Sequence, residues 1–590
     1  MLEKFNGWLE RNPVAADALL AGVTLLVFSG TLANGFVYDD NPQIIQNPFV
    51  VNPRLWTKIF TGSVWSFQGA ATNFYRPLQF VCYWILYRLA GPNPVPFHLL
   101  NLLLYAATVV LVYRLGLRLT SNGAAAFVGA LLWALHPVHV EAVAWISSLP
   151  DLGCGFFCLV SFLLFLRAEQ EHDHPFRLTL FSALAFLPAL FFKEMALSFP
   201  LLLIAWWFSL GRPESWLRRA LRWTPYLAAV AMYVVARHFA LGYFTETRHF
   251  WQLNRVVIGS ALGLLGDHAR ILLWPAHLSV YRMFNLRASL ASAWPWATLA
   301  VIVSTVWVRK RDARLAFLIV WWPVSLLPVL DIRQLSFPQL ADRFNYFPSI
   351  GPCLAIAVLL IEWLPESARR SELQVAGVAA LAVMGIAWGV ETVRYIPRWH
   401  TDDTLINYSL RQSPNSPLPH MARGMELEYQ EGNLSGAIRE YKTAWRLNQE
   451  STWPLGLAHD YYLALGRIAL RRGHREQAIR YFKKVIKMAP NGYSDAADAL
   501  GAVYFPDGNY AKAAKYFEES VKLNPQDLGA RFYLGTCLMK LGHYRQAARQ
   551  FHAARKTDPQ YWQAYQAEAQ ALEAAGRMAR AARVRQQIRK

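Results

Sequence analysis

The residues with the most chemical reach fall in five short clusters set between long apolar runs. The first is Asp39-Asp40, within Phe36-Val37-Tyr38-Asp39-Asp40-Asn41-Pro42. Adjacent carboxylates repel, which tends to raise one pKa, and a carboxylate so raised can act as a general base toward a hydroxyl. A turn that ends a helix before Asn41-Pro42 is the structural alternative. The second cluster is Tyr75-Arg76-Pro77-Leu78. Arg76 can hold a phosphate through two parallel N–H bonds, or anchor the chain at lipid headgroups. In the third, His136-Pro137-Val138-His139-Val140-Glu141 precedes Asp151. These residues could bind a metal, but Pro137 interrupts the helix and no HExxH pattern is present. Hydrogen-bonding structural histidines are the favoured reading, with Asp151 as the polar active-site candidate. Lys193-Glu194 is either an ion pair, Lys193 compensating Glu194, or a contact to phosphate or sugar. The fifth cluster, Ala341-Asp342-Arg343-Phe344-Asn345-Tyr346-Phe347-Pro348-Ser349, offers Arg343 and Tyr346 to a polar headgroup, or to an aromatic belt at the membrane surface.

Apolar stretches near twenty residues must position these groups, because a helix of about that length crosses a bilayer's hydrocarbon. Candidate spans are 12–33, 97–118, 123–146, 152–167, 176–192, 195–210, 222–240, 291–308, 313–330, 346–363 and 373–395, about eleven. Basic clusters set their orientation. Lys4 and Arg11, Arg114 and Arg118, Arg167 and Arg177, Arg212 with Arg218, Arg219 and Arg222, Arg309-Lys310-Arg311 with Arg314, and Arg369-Arg370 all fall on the cytoplasmic side. This holds only if residues 77–90 and 256–275 lie at the outer interface, where amphipathic segments rest, rather than crossing. The five polar clusters then share the outer face. Polar groups are costly in hydrocarbon, so each is a functional candidate.

The bulk composition fits this division. The chain has 590 residues, 54% hydrophobic, 14% aromatic and 17% charged, with 23 Trp and a net charge of +20. That excludes disorder. Mean hydropathy is only +0.18, low for a chain that is all membrane. Five Cys exclude a disulfide scaffold, and Cys154 and Cys158 read as a buried thiol pair on an apolar helix. The basic residues come in loops between spans, and no zinc finger, RRM or helix-turn-helix signature is present, so no nucleic-acid partner is expected. The apolar stretch from Pro13 to Val37 is too long for a cleaved signal and reads as a retained first span.

From Ser416 the composition changes and a repeat appears. Leu534-Gly535, Gly542, Tyr544, Ala547, Phe551, Ala554 and Pro559 stand at tetratricopeptide spacing. Leu500-Gly501, Gly508, Tyr510, Ala513, Phe517 and Pro525 repeat it, as do Leu465-Gly466, Gly473, Ala478, Phe482 and Pro490. Weaker copies surround Gly432 and Gly576, giving about five units. Gly and Ala let paired helices approach, the aromatic fills the gap, and Pro ends the second helix. Arg580, Arg583, Arg585, Arg589 and Lys590 suit an exposed capping helix.

The ordered set of Tyr-Asp-Asp, Tyr-Arg-Pro-Leu, His-Pro-x-His-x-Glu-Ala-Val, Phe-Lys-Glu, Ala-Asp-Arg-Phe-x-Tyr-x-Pro-Ser and trailing repeats resembles the transmembrane-and-tetratricopeptide-repeat (TMTC) proteins and their bacterial relatives, membrane glycosyltransferases of the GT-C class. The resemblance covers nearly the whole chain. One departure stands out: family members commonly read Gly-Arg-x-Asp where this chain has Ser148-Leu149-Pro150-Asp151, so the acid is kept and the Arg is absent.

The resemblance implies an all-α protein: a GT-C-like membrane domain over 1–396, a linker over 397–415, and an α-solenoid over 416–590. It implies transfer of a sugar, mannose or another hexose, from a polyprenyl- or dolichyl-phosphate donor to a protein Ser or Thr on the non-cytoplasmic face. The repeats would recruit that acceptor. Asp39, Asp40 and Asp151 are the implied catalytic acids, one of the first two as base, and Arg343, Arg76 and Lys193 the implied phosphate ligands. Tyr75, His136, His139, Glu141, Glu194 and Tyr346 complete the expected substrate-binding set. No particular cofactor is implied, although a divalent cation could share the leaving-group charge. The expected location is a bacterial plasma membrane, with the N-terminus cytoplasmic and the repeats outside. A non-enzymatic scaffold for envelope proteins and transfer to a glycolipid or polysaccharide are the competing readings.

Overall fold

The computed structural model describes residues 2–68, 72–120, 122–170, 175–211, 215–242, 254–331, 339–363, 370–451, 454–488 and 494–588. Arg212 and Arg369 of the basic clusters, Pro490, and the terminal Arg589-Lys590 lie outside them. The described residues are helical, with no strand among them. They form two compact units, the first comprising 1–46, 59–61 and 73–416, and the second 47–58, 62–72 and 417–590.

Among the described residues of the first unit, five helices are long and apolar enough to cross a membrane: Pro13–Ala33, Val95–Leu119, Ile146–Gln170, Arg255–Leu273 and Val375–Trp399. Pro13 opens the first, a position where a missing N–H costs nothing. The bent pair Gly123–Leu135 and Pro137–Ala144 makes a sixth if counted as one span. Its 51° bend falls where Pro137 removes a backbone donor. Asn122 caps its start, accepting from the amides of Ala124 and Ala125. Phe176–Phe192, Glu194–Leu210, Ala313–Val329 and Ile350–Ile361 are apolar but shorter. Residues 77–90 form a 14-residue helix, Pro77–Ala90, too short to cross unaided. Arg255–Leu273 differs from the sequence expectation. Its polar interruption does not break the helix, so its length permits a crossing where the charge pattern places it at the interface. Cys154 and Cys158 are buried free thiols.

The expected linker is itself ordered. Helix Asp402–Gln412 begins at a capping box in which Thr401 and Thr404 exchange hydrogen bonds, and it belongs to the first unit.

The described residues of the second unit include five helix pairs, from Pro417–Tyr429 with Leu434–Glu450 through to Trp562–Ala574 with Met578–Ile588. Each pair turns on a glycine with positive φ: Gly432, Gly473, Gly508, Gly542 and Gly576, at 67–78°. That left-handed conformation is the reason for the recurring glycine. Residues 47–58 and 62–72, which the sequence division assigns to the membrane domain, pack with this unit instead. Asn52 Nδ2 donates to Asp558 Oδ1 at 3.3 Å, and Asn524 Nδ2 to the Gln68 carbonyl at 3.1 Å. Polar side chains at the ends of repeat helices thus satisfy polar groups of the first loop.

Candidate active site

The site assembles where apolar helices end. The turn after the first span is tight, and Tyr38 takes φ 54°, the one non-glycine residue with positive φ among the described residues. A bulky residue there stores strain that its surroundings must hold. The Tyr38 amide donates to Asp402 Oδ1 at 2.7 Å, and its ring lies 5.4 Å from that of Trp145 and 5.5 Å from that of Tyr281.

The turn gives Asp39 and Asp40 different surroundings. Asp40 is fully buried, its Oδ1 accepting from the amide and hydroxyl of Ser147 at 2.7 and 2.6 Å, and its Oδ2 from the Val37 amide at 3.1 Å. Burial pushes its pKa up to about 7 against those hydrogen bonds. The Asp39 carboxylate accepts no hydrogen bond among the described residues. Burial lifts it to about 7 as well, and the charge of Arg343 pulls against that rise.

Three cation–carboxylate pairs lie near one another, the charges of Arg343 and Arg76 both acting on Lys193, and Arg343 alone of the three cations acts on Asp39. Arg343 pairs with Glu141, which is wholly buried and also accepts the Arg343 amide at 3.1 Å. Its guanidinium lies 5.0 Å from the Trp145 ring centre. Lys193 Nζ donates to Asp151 Oδ1 at 2.6 Å, and Ser148 Oγ to Asp151 Oδ2 at 3.1 Å. Arg76 grips Glu194 with two bonds, the Nε–Oε2 distance being 3.0 Å. The expected Lys193–Glu194 pair is therefore replaced by two others. Lys193 has extended backbone, φ −156° and ψ 136°, and extended neighbours point to opposite sides. Asp151, Lys193, Arg343 and Tyr346 line one cavity of ≈ 20 Å³, room for a water molecule.

The remaining expected residues have partners outside these ion pairs. His136 is buried, with Nε2 at 2.9 Å from the Leu272 carbonyl and Nδ1 accepting the Val138 amide. His139 is buried between Tyr105 Oη and Ser349 Oγ, both at 2.9 Å. With both ring nitrogens engaged, the two histidines hold the bend. Tyr75 donates to the Phe60 carbonyl at 3.2 Å. Tyr346 packs its ring against Trp133 and accepts that indole N–H on its carbonyl at 3.1 Å. Among the described residues, no group of three or more His, Cys, Asp and Glu could hold a metal ion. Asp151, Glu141 and Glu194 are each committed to a cation, which does not fit a divalent ion.

Sequence reasoning missed three supporting groups. Ser147 holds Asp40, Asp402 holds Tyr38, and Arg282 pairs with Asp342 at 2.5 Å, Asp342 also accepting the Ser279 amide. Burial raises Asp342 to about 6. Asp342 stands beside Arg343 in the Ala-Asp-Arg-Phe motif, a signal that was available. Nothing local marks Asp402, which lies 364 residues from Tyr38.

The class this defines is an all-helical protein with many apolar helices, a buried ionic site and a solenoid of helical repeats. Tetratricopeptide repeat models match residues 426–493, 463–527 and 504–570. The human protein O-mannosyl-transferase TMTC1 is 38% identical over 166 residues, 27% of this chain and 19% of that protein. Human TMTC4, also a protein O-mannosyl-transferase, is 34% identical over 179 residues, 27% of this chain and 24% of that one. The Caenorhabditis elegans protein O-mannosyl-transferase F38B6.6 is 23% identical over 452 residues, 73% of this chain and 62% of that protein. The chain thus matches less than two thirds of the length of each of these relatives. Among solved structures, MamA is 22% identical over 29% of this chain and 89% of its own, with a TM-score of 0.25. YrrB, a tetratricopeptide repeat protein, is 21% identical over 31% and 90%, also with a TM-score of 0.25. Residues 426–570 carry tetratricopeptide repeats, and the chain is similar in part to the TMTC proteins.

Proposed function

We propose that the protein is a membrane glycosyltransferase that moves a hexose, mannose by analogy with its named relatives, from a polyprenyl-phosphate donor to a Ser or Thr hydroxyl of a protein. The reaction takes place on the non-cytoplasmic face, with the N-terminus inside and the repeats outside, an orientation supported by the basic loops. The observation that carries this reading is the Asp39 carboxylate, which accepts no hydrogen bond among the described residues and feels the charge of Arg343.

Asp39 takes the acceptor proton as the hydroxyl oxygen attacks the anomeric carbon. The bond from that carbon to the phosphate oxygen breaks, and polyprenyl phosphate departs with inversion. The leaving group is already an anion, so fixed cations lower the barrier without a second acid. Arg343 is the main phosphate ligand, supported by Lys193 and Arg76. Glu141, Asp151 and Glu194 hold those cations in place before donor arrives, so little reorganisation accompanies transfer. Asp40 fixes the loop through Ser147 and is a positioning residue. The ≈ 20 Å³ cavity admits no sugar, so donor and acceptor meet at its rim.

The test is incubation of the purified chain with labelled polyprenyl-phosphate mannose and envelope extract. Label appearing in protein, and lost in Asp39→Asn, supports the reading. Label in lipid points to a glycolipid acceptor, and no transfer from any polyprenyl-phosphate hexose leaves a scaffold.

A further inference from the structure

We infer that the last two repeats form a binding cleft for an acidic peptide segment of a partner protein. A cavity of ≈ 470 Å³ opens between helices Tyr544–Thr557, Trp562–Ala574 and Met578–Ile588. That volume is in the range of pockets that enclose a ligand, ~300–1,000 Å³. Six arginines line it against one carboxylate, Glu568, which is taken by Arg555 and by His552 at 3.1 Å. Arg545, Arg549, Arg577, Arg580 and Arg583 pair with no carboxylate among the described residues.

A merely solvated cap would scatter such charges. Here Arg545 and Arg549 stand one turn apart on one helix, and Arg580 and Arg583 stand three apart on another with Arg577 just before its start, so each helical pair shares a face. Like charges facing across a cleft repel, and that repulsion is relieved by an anion entering between them. The floor is apolar, formed by the buried Leu572 and Val584. A planar lipid surface would touch the rims alone. A narrow chain carrying Asp or Glu beside an aliphatic side chain meets both walls and the floor. Arginine's planar fork suits such carboxylates.

The test uses the full chain in neutral-lipid nanodiscs and a fluorescent peptide alternating Glu with Leu, read by anisotropy. Saturable binding is expected, weakening as salt rises from about 50 to about 500 mM. The exposed-residue variant Arg549→Glu/Arg580→Glu is expected to bind at least about tenfold more weakly, with helical circular dichroism unchanged. Arg545→Glu/Arg577→Glu serves as an independent second variant. Absent binding, equal binding by both variants, or arginine-dependent capture of anionic vesicles that the peptide does not displace would each overturn the inference. No sugar transfer is measured, so the result stands apart from that of the transferase reading.

Discussion

The two basic regions of the molecule treat their cations in opposite ways. In the membrane unit, Arg76, Lys193 and Arg343 each have a carboxylate of their own, Glu194, Asp151 and Glu141. In the terminal repeats, Arg545, Arg549, Arg577, Arg580 and Arg583 have none among the described residues. The difference follows from solvation. A buried charge without a partner costs several kcal/mol, whereas water screens an exposed one at little cost. Paired cations are therefore fixed in position before a ligand comes, and unpaired ones are available to attract it.

The comparison can be broken most severely at Arg343. Arg343→Ala leaves Glu141 buried and uncompensated, with an expected cost of about 3–5 kcal/mol and loss of transfer. Arg343→Met/Glu141→Leu should recover stability without transfer. Thermal unfolding beside a transfer assay checks both, and an inactive double variant of normal stability would locate Arg343's role in chemistry.

Asp39→Asn removes charge without orphaning a pair. Transfer should fall about 10²–10⁴-fold while unfolding is little changed. The base must be ionised to accept a proton, so the wild-type rate should rise with pH through about 7 and then level. Any residual rate in the variant should lose that rise.

Asp402→Ala should act more gently, because it frees the Tyr38 amide and relaxes the turn rather than removing a reacting group. A loss of about 1 kcal/mol in stability is expected, with turnover lowered several-fold. The pH midpoint set by Asp39 should stay in place, and a shifted midpoint would mean that Asp402 acts directly on the base.

The smallest stability effect belongs to the repeats. Arg549→Glu should move unfolding by no more than about 0.5 kcal/mol, since it breaks no pair. A larger loss would show that the cleft charges are held by the fold after all.

Much of this was legible in the sequence. The 34-residue interval from Gly508 to Gly542 and on to Gly576 marks a left-handed turn that few other residues accept. The apolar runs locate most helices, and the five motifs name most of the ionic cluster. Partner choice was not legible. Lys193 and Glu194 are adjacent in sequence, yet extended backbone separates them and each finds an ion partner at least 42 residues away. Asp39 and Asp40 were equivalent until the turn at Tyr38 gave one to Ser147 and left the other open. The shared first loop was hidden too, because Asn52 and Gln68 meet partners about 500 residues on.

The glycine–aromatic contact within the repeats has a mechanical consequence. A Cβ added at Gly501 would come 2.7 Å from the Phe517 ring, and one at Gly535 the same distance from Phe551, while Gly466 faces Phe482 in the same way. These contacts set how closely the two helices of a unit approach, and so the small rotation passed to the next unit. In a stack, rotations add. A single methyl group at Gly501 would change the pitch of the superhelix and swing every later unit, aiming the arginine cleft in a new direction while leaving its own residues untouched.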